Sequence, residues 1–194
     1  MLSLNRPSGA QIRALLARGR GLPLSYPDVG ATSGAPPAGY RRDHHRGRLG
    51  AGPEVFGRAC AAFRGWAMFD LGWIGVWPPG GPIREGAVVA VVARGFGVWS
   101  AFACRVVRAW ETHGPVESLG FAYGTLPGHV LAGEERFEVG WDRADGSVWY
   151  DVLAYSRPVG WLGRAGYPLI RRAQRRFAPD SLRAMARASR GEGQ

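Results

Sequence analysis

The second half of the chain alternates apolar and polar residues with a period of two, and this pattern limits the possible folds more than any other feature. It predicts strands at 73–77, 86–95, 98–111, 117–126, 134–142 and 147–157. Short segments rich in glycine and proline separate these strands, such as Gly95-Phe96-Gly97, Pro127-Gly128 and Asp145-Gly146. Connections this short join antiparallel neighbours, because parallel strands need a crossover of a dozen or more residues. The pattern therefore predicts one meandering antiparallel sheet.

Helices are predicted on both sides of this strand-rich region. A helix around 9–18 is followed by a loop rich in proline and glycine and by a strand at 40–49. Pro53-Glu54 favours the start of a second helix, which is expected to run to about Phe69. In the C-terminal helix, Pro179 is expected to cause a kink or a break. The apolar stripe of that helix comprises Leu162, Leu169, Ile170, Ala173 and Phe177, and Arg171, Arg172, Arg175 and Arg176 fall largely outside it.

This order of elements predicts an α+β fold. A curved antiparallel sheet of about six to seven strands would grip the long C-terminal helix, bury the amphipathic stripes of both long helices and leave a cavity between sheet and helix. The order resembles the START-like helix-grip architecture, which is also seen in polyketide cyclases and plant ligand-binding allergens. Fold by itself does not determine function, so the cavity is only the place to look for a site.

The charge of the chain is carried by arginine and concentrated at the two ends. The net charge is +10, there is no lysine, and residues 1–48 and 164–194 each carry a net charge of +6. Such ends could attract nucleic acid or an anionic membrane, but a solvated basic face is the simpler interpretation. Nucleic acid is not an expected partner, and peripheral contact with a membrane is left open.

The cysteines and the apolar segments indicate a cytoplasmic protein. Cys60 and Cys104 each lie within an apolar run, where a reduced thiol behaves as a small hydrophobic side chain. The most apolar window, 86–107, is interrupted by Arg94 and Arg105 and is expected to form strands and not a membrane span. No signal peptide is expected at the N-terminus, because arginines interrupt its apolar residues.

The segment from Phe121 to Val139 concentrates the residues that could do chemistry. It contains Tyr123, Thr125, His129, Glu134 and Glu135 within thirteen positions. Together with Tyr26-Pro27-Asp28-Val29-Gly30, Leu49-Gly50-Ala51-Gly52 and Ser156-Arg157-Pro158, it is similar to the DUF1990 family of uncharacterised proteins over about residues 22–188. The resemblance implies one small cytoplasmic domain of unknown activity at 22–190, preceded by an N-terminal helical extension at 1–21. It brings no catalytic residues with it.

Glu135 is the main candidate for a functional side chain. Along strand 134–142 it shares one face with Phe137 and Val139, whereas Glu134 and Arg136 point to the other face. A carboxylate in apolar surroundings has a raised pKa and suits general acid or base catalysis. The alternative is a structural pair, in which Glu135 bonds Tyr123, Arg157 or backbone amides.

His129 lies in a loop and titrates near neutral pH, so it could exchange a proton with Tyr123 or Glu135, or it could be a hydrogen-bonded turn residue. No metal site is predicted, because the spacing of His129 from the two glutamates matches no ligand motif, and His44 and His45 on a strand would point to opposite faces. No cofactor motif occurs in the sequence, so no cofactor is expected.

Strand 117–126 has one nearly bare face, formed by Gly120, Ala122 and Gly124. A helix, a neighbouring loop or a flat ligand could pack there. Arg157 could hold a carboxylate or phosphate of a ligand, or pair with Glu134 or Glu135.

Three functional hypotheses follow. In the first, the domain binds an apolar or amphipathic small molecule between sheet and helix, oriented by Tyr26, Tyr123, Thr125, His129, Glu135 and Arg157. In the second, the same pocket catalyses a proton transfer, with Glu135 or His129 as base and Tyr123 as donor. In the third, the arginine-rich face of the C-terminal helix binds nucleic acid or an anionic membrane.

Overall fold

The computed structural model describes residues 1–35 and 37–191, which form one antiparallel sheet and four helices. The helices are α1 (Gly9–Arg20), α2 (Pro53–Arg64), α3 (Gly160–Ala165) and α4 (Tyr167–Arg190). The strands are β1 (Leu2–Ser3), β2 (Arg41–Ala51), β3 (Ile74–Trp77), β4 (Val88–Gly95), β5 (Val98–Thr112), β6 (Val116–Thr125), β7 (Leu131–Asp142) and β8 (Ser147–Pro158).

All strand pairs in the sheet are antiparallel, in the order β2-β8-β7-β6-β5-β4-β3. The short strand β1 pairs with the start of β5, where Leu2 lies opposite Ser100. We call one end of the sheet the cavity end. It contains the turns after β4 and β6, the start of β2 and the last residues of β8. The α+β fold with an antiparallel sheet and a long C-terminal helix is therefore confirmed, and β1 is an additional strand that the sequence did not predict.

One face of the sheet carries the main hydrophobic core. Helix α4 contacts α2, β2 and the turn at Ala67–Phe69, and rings from both layers pack together between them. The ring centroids of Phe69 and Phe177 are 5.2 Å apart, and those of Phe121 and Phe137 are 5.1 Å apart. Aromatic packing of this kind fixes the long helix over the sheet.

The opposite face is covered by the N-terminal part of the chain. Ile12 and Leu16 of α1 pack on Ala90 of β4, and the loop that follows α1 crosses β6 and β7. The nearly bare face of β6 is occupied by side chains of the protein itself. The indole of Trp110 covers Gly120, and the ring of Tyr26 covers Gly124 so closely that a Cβ there would lie 2.2 Å from the Tyr26 hydroxyl.

Two helix predictions need correction. Helix α2 ends at Arg64 and not near Phe69, because Trp66 adopts a left-handed backbone with φ of 62° that reverses the chain before a short turn of 3-10 helix. Helix α4 continues through Pro179, so of the kink or break expected there, the break does not occur. Phe177 and Ala178 before the proline and Ser181 after it are all buried, so packing on both sides outweighs the lost backbone hydrogen bond.

The predicted faces of the C-terminal helix are also partly wrong. Leu162 lies in the separate helix α3, and both it and Leu169 are exposed, whereas Arg171 is buried. The stripe that faces the sheet therefore begins at Ile170 and includes one arginine. No helix within residues 1–35 and 37–191 is long and apolar enough to cross a membrane.

Candidate functional site

A cavity of about 250 Å³ lies between the sheet and the first half of α4, at the cavity end. Most of its wall is apolar, and its main apolar residues are Phe69, Trp73, Phe102, Val152, Ile170 and Phe177. Four of the predicted site residues border it: Tyr123, Thr125, His129 and Glu135. The alternation of β6 and β7 brings Tyr123 and Glu135 to this face, where they are direct cross-strand partners.

The Tyr123 hydroxyl donates a hydrogen bond to Glu135 Oε2 at 2.7 Å. The pKa of Glu135 is raised to about 7, mainly by burial; the hydrogen bond from Tyr123 opposes this rise, and the nearby Asp43 carboxylate contributes to it. Burial and the Glu135 charge also raise the pKa of Tyr123 well above its usual value. Near neutral pH this pair therefore holds a carboxyl group that can gain or lose a proton and a phenol that stays protonated.

His129 packs its ring on Phe102, with ring centroids 4.5 Å apart. Its Nδ1 accepts a hydrogen bond from the backbone N–H of Leu131 at 2.9 Å. Burial, and then the charge of the N-terminal ammonium of Met1, lower the pKa of His129 to about 3. The imidazole is therefore neutral at neutral pH, and because Nδ1 is an acceptor, its proton is on Nε2.

Thr125 borders the cavity, but its hydroxyl is used to hold the protein together. Oγ1 accepts from the Gly133 N–H at 3.0 Å, donates to the Gly133 carbonyl at 3.2 Å and lies 2.6 Å from Ser25 Oγ. These bonds tie β6 to β7 and to the N-terminal loop. A ligand would meet the side of Thr125 and not a free hydroxyl.

Tyr26 and Arg157 lie on the opposite face of the sheet, away from the cavity. The Tyr26 hydroxyl donates to Glu134 Oε2 at 2.7 Å, and the Arg157 guanidinium lies 5.0 Å from the Tyr40 ring centroid. The reason is geometric. The loop that carries Tyr26 crosses the outer face, and Arg157 follows Ser156, which borders the cavity, so alternation along β8 turns Arg157 outward. Glu135 is thus paired with Tyr123 and not with Arg157.

Glu134 anchors the N-terminal loop on that outer face. It accepts hydrogen bonds from the Tyr26 hydroxyl, from the backbone N–H groups of Gly30 at 2.8 Å and Thr32 at 3.2 Å, and from the Thr32 hydroxyl. The carboxylate is buried, and four donors satisfy it. Glu134 and Glu135 are therefore neighbours in sequence with separate roles on the two faces.

A polar cluster that the sequence analysis did not assign lies beside the cavity. Arg171 of α4 binds both oxygens of Asp43, with Nη2 2.8 Å from Oδ1, and also donates to Gln174 Oε1 at 2.7 Å. Gln174 donates in turn to Ser156 Oγ at 3.1 Å. The hydrogen bond from Arg171 lowers the pKa of Asp43. This cluster joins the helix to β2 and β8 and gives the cavity a charged, hydrogen-bonded side.

The sequence contained a signal for this polar side of the cavity. Asp43 and His45 have the same parity along β2 as the buried Leu49, so both point inward and border the cavity. His44 points outward, where its Nε2 lies 2.7 Å from Asp151 Oδ2. The partner of Asp43 could not be found in this way, because Arg171 looked like part of a solvated face.

Two further features bear on the chemistry. Within the described ranges, 1–35 and 37–191, no three His, Cys, Asp or Glu side chains come together in a way that could hold a metal ion. Both cysteines are free and buried, and burial raises the pKa of Cys60 to about 11 and that of Cys104 further. Neither thiol is activated as a nucleophile.

Comparison with known proteins gives a match over most of the chain. The family model for DUF1990, a domain of unknown function, matches residues 25–184. A UPF0548 protein of Deinococcus radiodurans is 37% identical over 199 residues, which cover 97% of this chain and 99% of the relative. A UPF0548 protein of Dictyostelium discoideum is 36% identical over 149 residues, which cover 73% of this chain and 69% of the relative.

Solved structures resemble the chain more weakly. The crystal structure of Ara h 8.0201 has a TM-score of 0.48 and 13% identity, and the match covers 79% of this chain and 99% of that one. The crystal structure of human STARD10 has a TM-score of 0.47 and 13% identity, and the match covers 95% of this chain and 80% of that one. The strand order and helix contacts of the chain itself define its fold.

Proposed function

The chain belongs to the DUF1990 family, and from this starting point we propose that it binds an apolar or amphipathic small molecule in the cavity between the sheet and α4. The observation that carries the proposal is the cavity itself, with its largely apolar wall and a few polar groups that converge on it. Ligand sites in proteins have this composition. The free, buried cysteines fit a reducing compartment, so we place this activity in the cytoplasm.

The size of the cavity limits the ligand. Its volume of about 250 Å³ is slightly below the range of about 300–1,000 Å³ that is usual for small-molecule sites. A compact ligand would fit inside, and a longer one would extend out through the cavity end. The apolar part of the ligand would lie on Phe69, Phe102 and Phe177.

The polar groups would set the orientation of the ligand. Glu135 can accept or donate a hydrogen bond near neutral pH, because its pKa of about 7 leaves both protonation states populated. His129 carries a proton on Nε2 and is neutral, so it is suited to donate. An amphipathic molecule with one polar group fits this arrangement better than a purely hydrocarbon one.

The proposal is tested by filling the cavity with a larger side chain. Ala154 borders the cavity on β8, so Ala154→Phe should occupy it, whereas Ala61→Phe on the exposed side of α2 is the matched control. Protein purified from its own host is examined by native mass spectrometry, and binding of 1-anilinonaphthalene-8-sulfonate is measured by fluorescence. Wild type and Ala61→Phe should retain a bound molecule and bind the dye, and Ala154→Phe should do neither.

Equal dye affinity in Ala154→Phe and Ala61→Phe would contradict the proposal, provided that both variants melt near the temperature of the wild type. Wild-type protein that carries no bound molecule and binds no dye would contradict it as well. Either result would mean that the space between sheet and helix is not a ligand site.

A second candidate function is proton transfer in the same cavity, and the Tyr123–Glu135 pair is the observation that favours it. A general base works best when its pKa is near the operating pH, and the pKa of Glu135 is about 7. The turnover of a substrate identified from the bound molecule should then depend on one group that titrates near pH 7, and Glu135→Gln should abolish turnover. If Glu135→Gln leaves the bound molecule and its fate unchanged, the protein only binds.

A further inference from the structure

Large apolar side chains are exposed at the cavity end in unusual number. Leu4 is 80% exposed, Phe96 56%, Trp161 76% and Leu169 51%, and Leu2 and Leu162 are exposed there as well. The pairing of Leu2 with Ser100 directs Leu4 toward the β4–β5 turn that carries Phe96. Trp161 and Leu162 belong to α3, which leaves the end of β8 and packs on the backbone of Val130 in the β6–β7 loop.

The position of Phe96 is energetically unfavourable for two reasons. It occupies the first place of a two-residue hairpin turn with φ of 53°, followed by Gly97 with φ of 77°, where Asn, Asp or Gly is favoured. Its ring is also largely in water. The fold gains little from this ring, since more than half of the residue is exposed and its contact with the Arg172 guanidinium spans 5.9 Å. Such strain therefore indicates a role outside the fold.

Arginine is the main charge among the exposed apolar residues of this end. Segments 1–27, 86–110 and 152–179, which carry those residues, contain no Asp or Glu, and Asp43 at the start of β2 is bound by Arg171. Arg172 lies 5.9 Å from the Phe96 ring centroid, and Arg6 and Arg94 lie 5.6 Å and 5.9 Å from that of Trp99. Exposed apolar side chains and arginines are therefore neighbours at the cavity end.

We propose that the cavity end docks on an anionic membrane surface, with Phe96, Trp161 and Leu169 in the headgroup region and Arg172 against the lipid phosphates. Aromatic and leucine side chains combined with arginine are the composition of interfacial membrane contacts. This inference rests on the proposed function in one respect: docking would place the opening of the cavity against the bilayer. An amphipathic ligand could then pass between the cavity and the bilayer without crossing water.

A membrane accounts for every part of this surface, and nucleic acid does not account for its leucines. Arginine would bind the phosphates of either partner. Phe96 and Trp161 could also stack on bases, but Leu4, Leu162 and Leu169 offer neither a flat ring for stacking nor a donor for base edges. Arg171, which the third sequence-based hypothesis counted among the binding arginines, is held by Asp43. Arg176 is bound by Asp180 at 3.1 Å, and Arg172 and Arg175 of that set are exposed.

The test is co-sedimentation with vesicles of phosphatidylcholine alone or mixed with phosphatidylserine, at low and high salt. The key variant is Phe96→Asn, because asparagine tolerates the left-handed turn and keeps the hairpin. Its matched control is Val116→Asn, an exposed apolar residue at the opposite end of the sheet. We expect binding only to the anionic vesicles, a loss of about tenfold in affinity for Phe96→Asn, and no change for Val116→Asn.

The charge contribution is tested with a second pair. Arg172→Gln and Arg187→Gln remove the same charge from the two ends of α4, so a general charge effect would be equal in both. Arg172→Gln should lower the affinity for anionic vesicles about fivefold and Arg187→Gln should not, and salt should weaken the wild-type affinity because exposed charges are screened.

Four outcomes would overturn the inference: no binding to anionic vesicles at low salt, equal affinities of Phe96→Asn and Val116→Asn, equal affinities of Arg172→Gln and Arg187→Gln, or binding to a single-stranded RNA oligonucleotide but not to vesicles. Ala154→Phe separates this inference from the proposed function. If the wild type binds the dye but not the vesicles, only the docking surface is contradicted. If Ala154→Phe still binds the dye and vesicle binding is normal, only the ligand site is contradicted.

Discussion

At the scale of single residues, two adjacent glutamates show how strand alternation separates structure from candidate chemistry. Glu134 accepts four hydrogen bonds on the outer face, and Glu135 lies beside the cavity with one donor, Tyr123. The fully bonded carboxylate holds a loop, whereas the poorly bonded one has a raised pKa. The number of donors around each group decides which one can exchange a proton near neutral pH.

Glu135 should make the stability of the protein depend on pH. Its pKa of about 7 in the folded state is above the ordinary glutamate value of 4.5, so the folded state binds more protons and the free energy of unfolding falls as pH rises between these values. Glu135→Gln removes this cost and keeps an acceptor for Tyr123. The variant should be more stable than the wild type by about 1–2 kcal/mol at about pH 8, a discounted figure since Glu135 is partly exposed, and equally stable near pH 4.

Urea unfolding across this pH range measures the effect. Glu138→Gln, on the outward face of the same strand, is the control and should follow the wild-type pH dependence. A pH profile of Glu135→Gln that is parallel to that of the wild type would mean that Glu135 is ionised in the folded protein at neutral pH.

At the scale of elements, α4 shows tertiary packing overriding a local signal. Pro179 removes one backbone hydrogen bond from the middle of the helix, yet the helix is continuous from Tyr167 to Arg190. The Tyr150 and Ser181 hydroxyls are 2.9 Å apart across the interface, and Met185 is fully buried. The core on both sides of the proline therefore holds the helix together at a local cost.

Pro179→Ala should remove this local destabilisation of the helix. Proline in a helix interior is less favourable than alanine by about 3 kcal/mol, and part of this is already relieved by local adjustment, so we expect a gain of about 1–3 kcal/mol in the free energy of unfolding. Pro168→Ala is the matched control, because Pro168 lies in the first turn of α4, where proline is tolerated. Thermal denaturation that shows no gain, or an equal change in both variants, would indicate that the Pro179 site is not strained.

At the scale of the whole molecule, the N-terminal segment is joined to the sheet in four ways. β1 pairs with β5, the Met1 ammonium donates to the Ala101 carbonyl at 2.9 Å, and Arg105 donates to the carbonyls of Gly19, Arg20 and Leu22. Ile12 and Leu16 also bury their side chains on β4. These contacts bear directly on the domain boundary expected at residue 22.

Removal of residues 1–21 should therefore destabilise the remaining protein. The loss of the two buried side chains alone predicts a decrease of at least about 3 kcal/mol in the free energy of unfolding. Ile12→Ala tests the same interface in the full chain, with Arg13→Ala on the solvent side of α1 as control. A truncated protein that melts at the wild-type temperature would support a separate N-terminal extension instead.

The sequence by itself determined most of the elements and the direction of the side chains along the main strands. Period-two alternation and short turns predicted the antiparallel sheet, and the same alternation correctly separated Glu134 from Glu135 and His44 from His45. These features are local, because a strand directs successive side chains to opposite faces whatever it packs against. The order of β4 to β8 in the sheet also followed from the short turns, whereas the place of β2 beside β8 did not.

Only the tertiary structure decided which distant residues meet. Asp43 and Arg171 are 128 positions apart, and Tyr26 reaches Glu134 because a loop without regular structure crosses the outer face. The cavity is likewise the gap left between a helix and a sheet whose side chains do not fill it. Contacts of this kind depend on how the layers pack in three dimensions, and no periodicity within one segment carries that information.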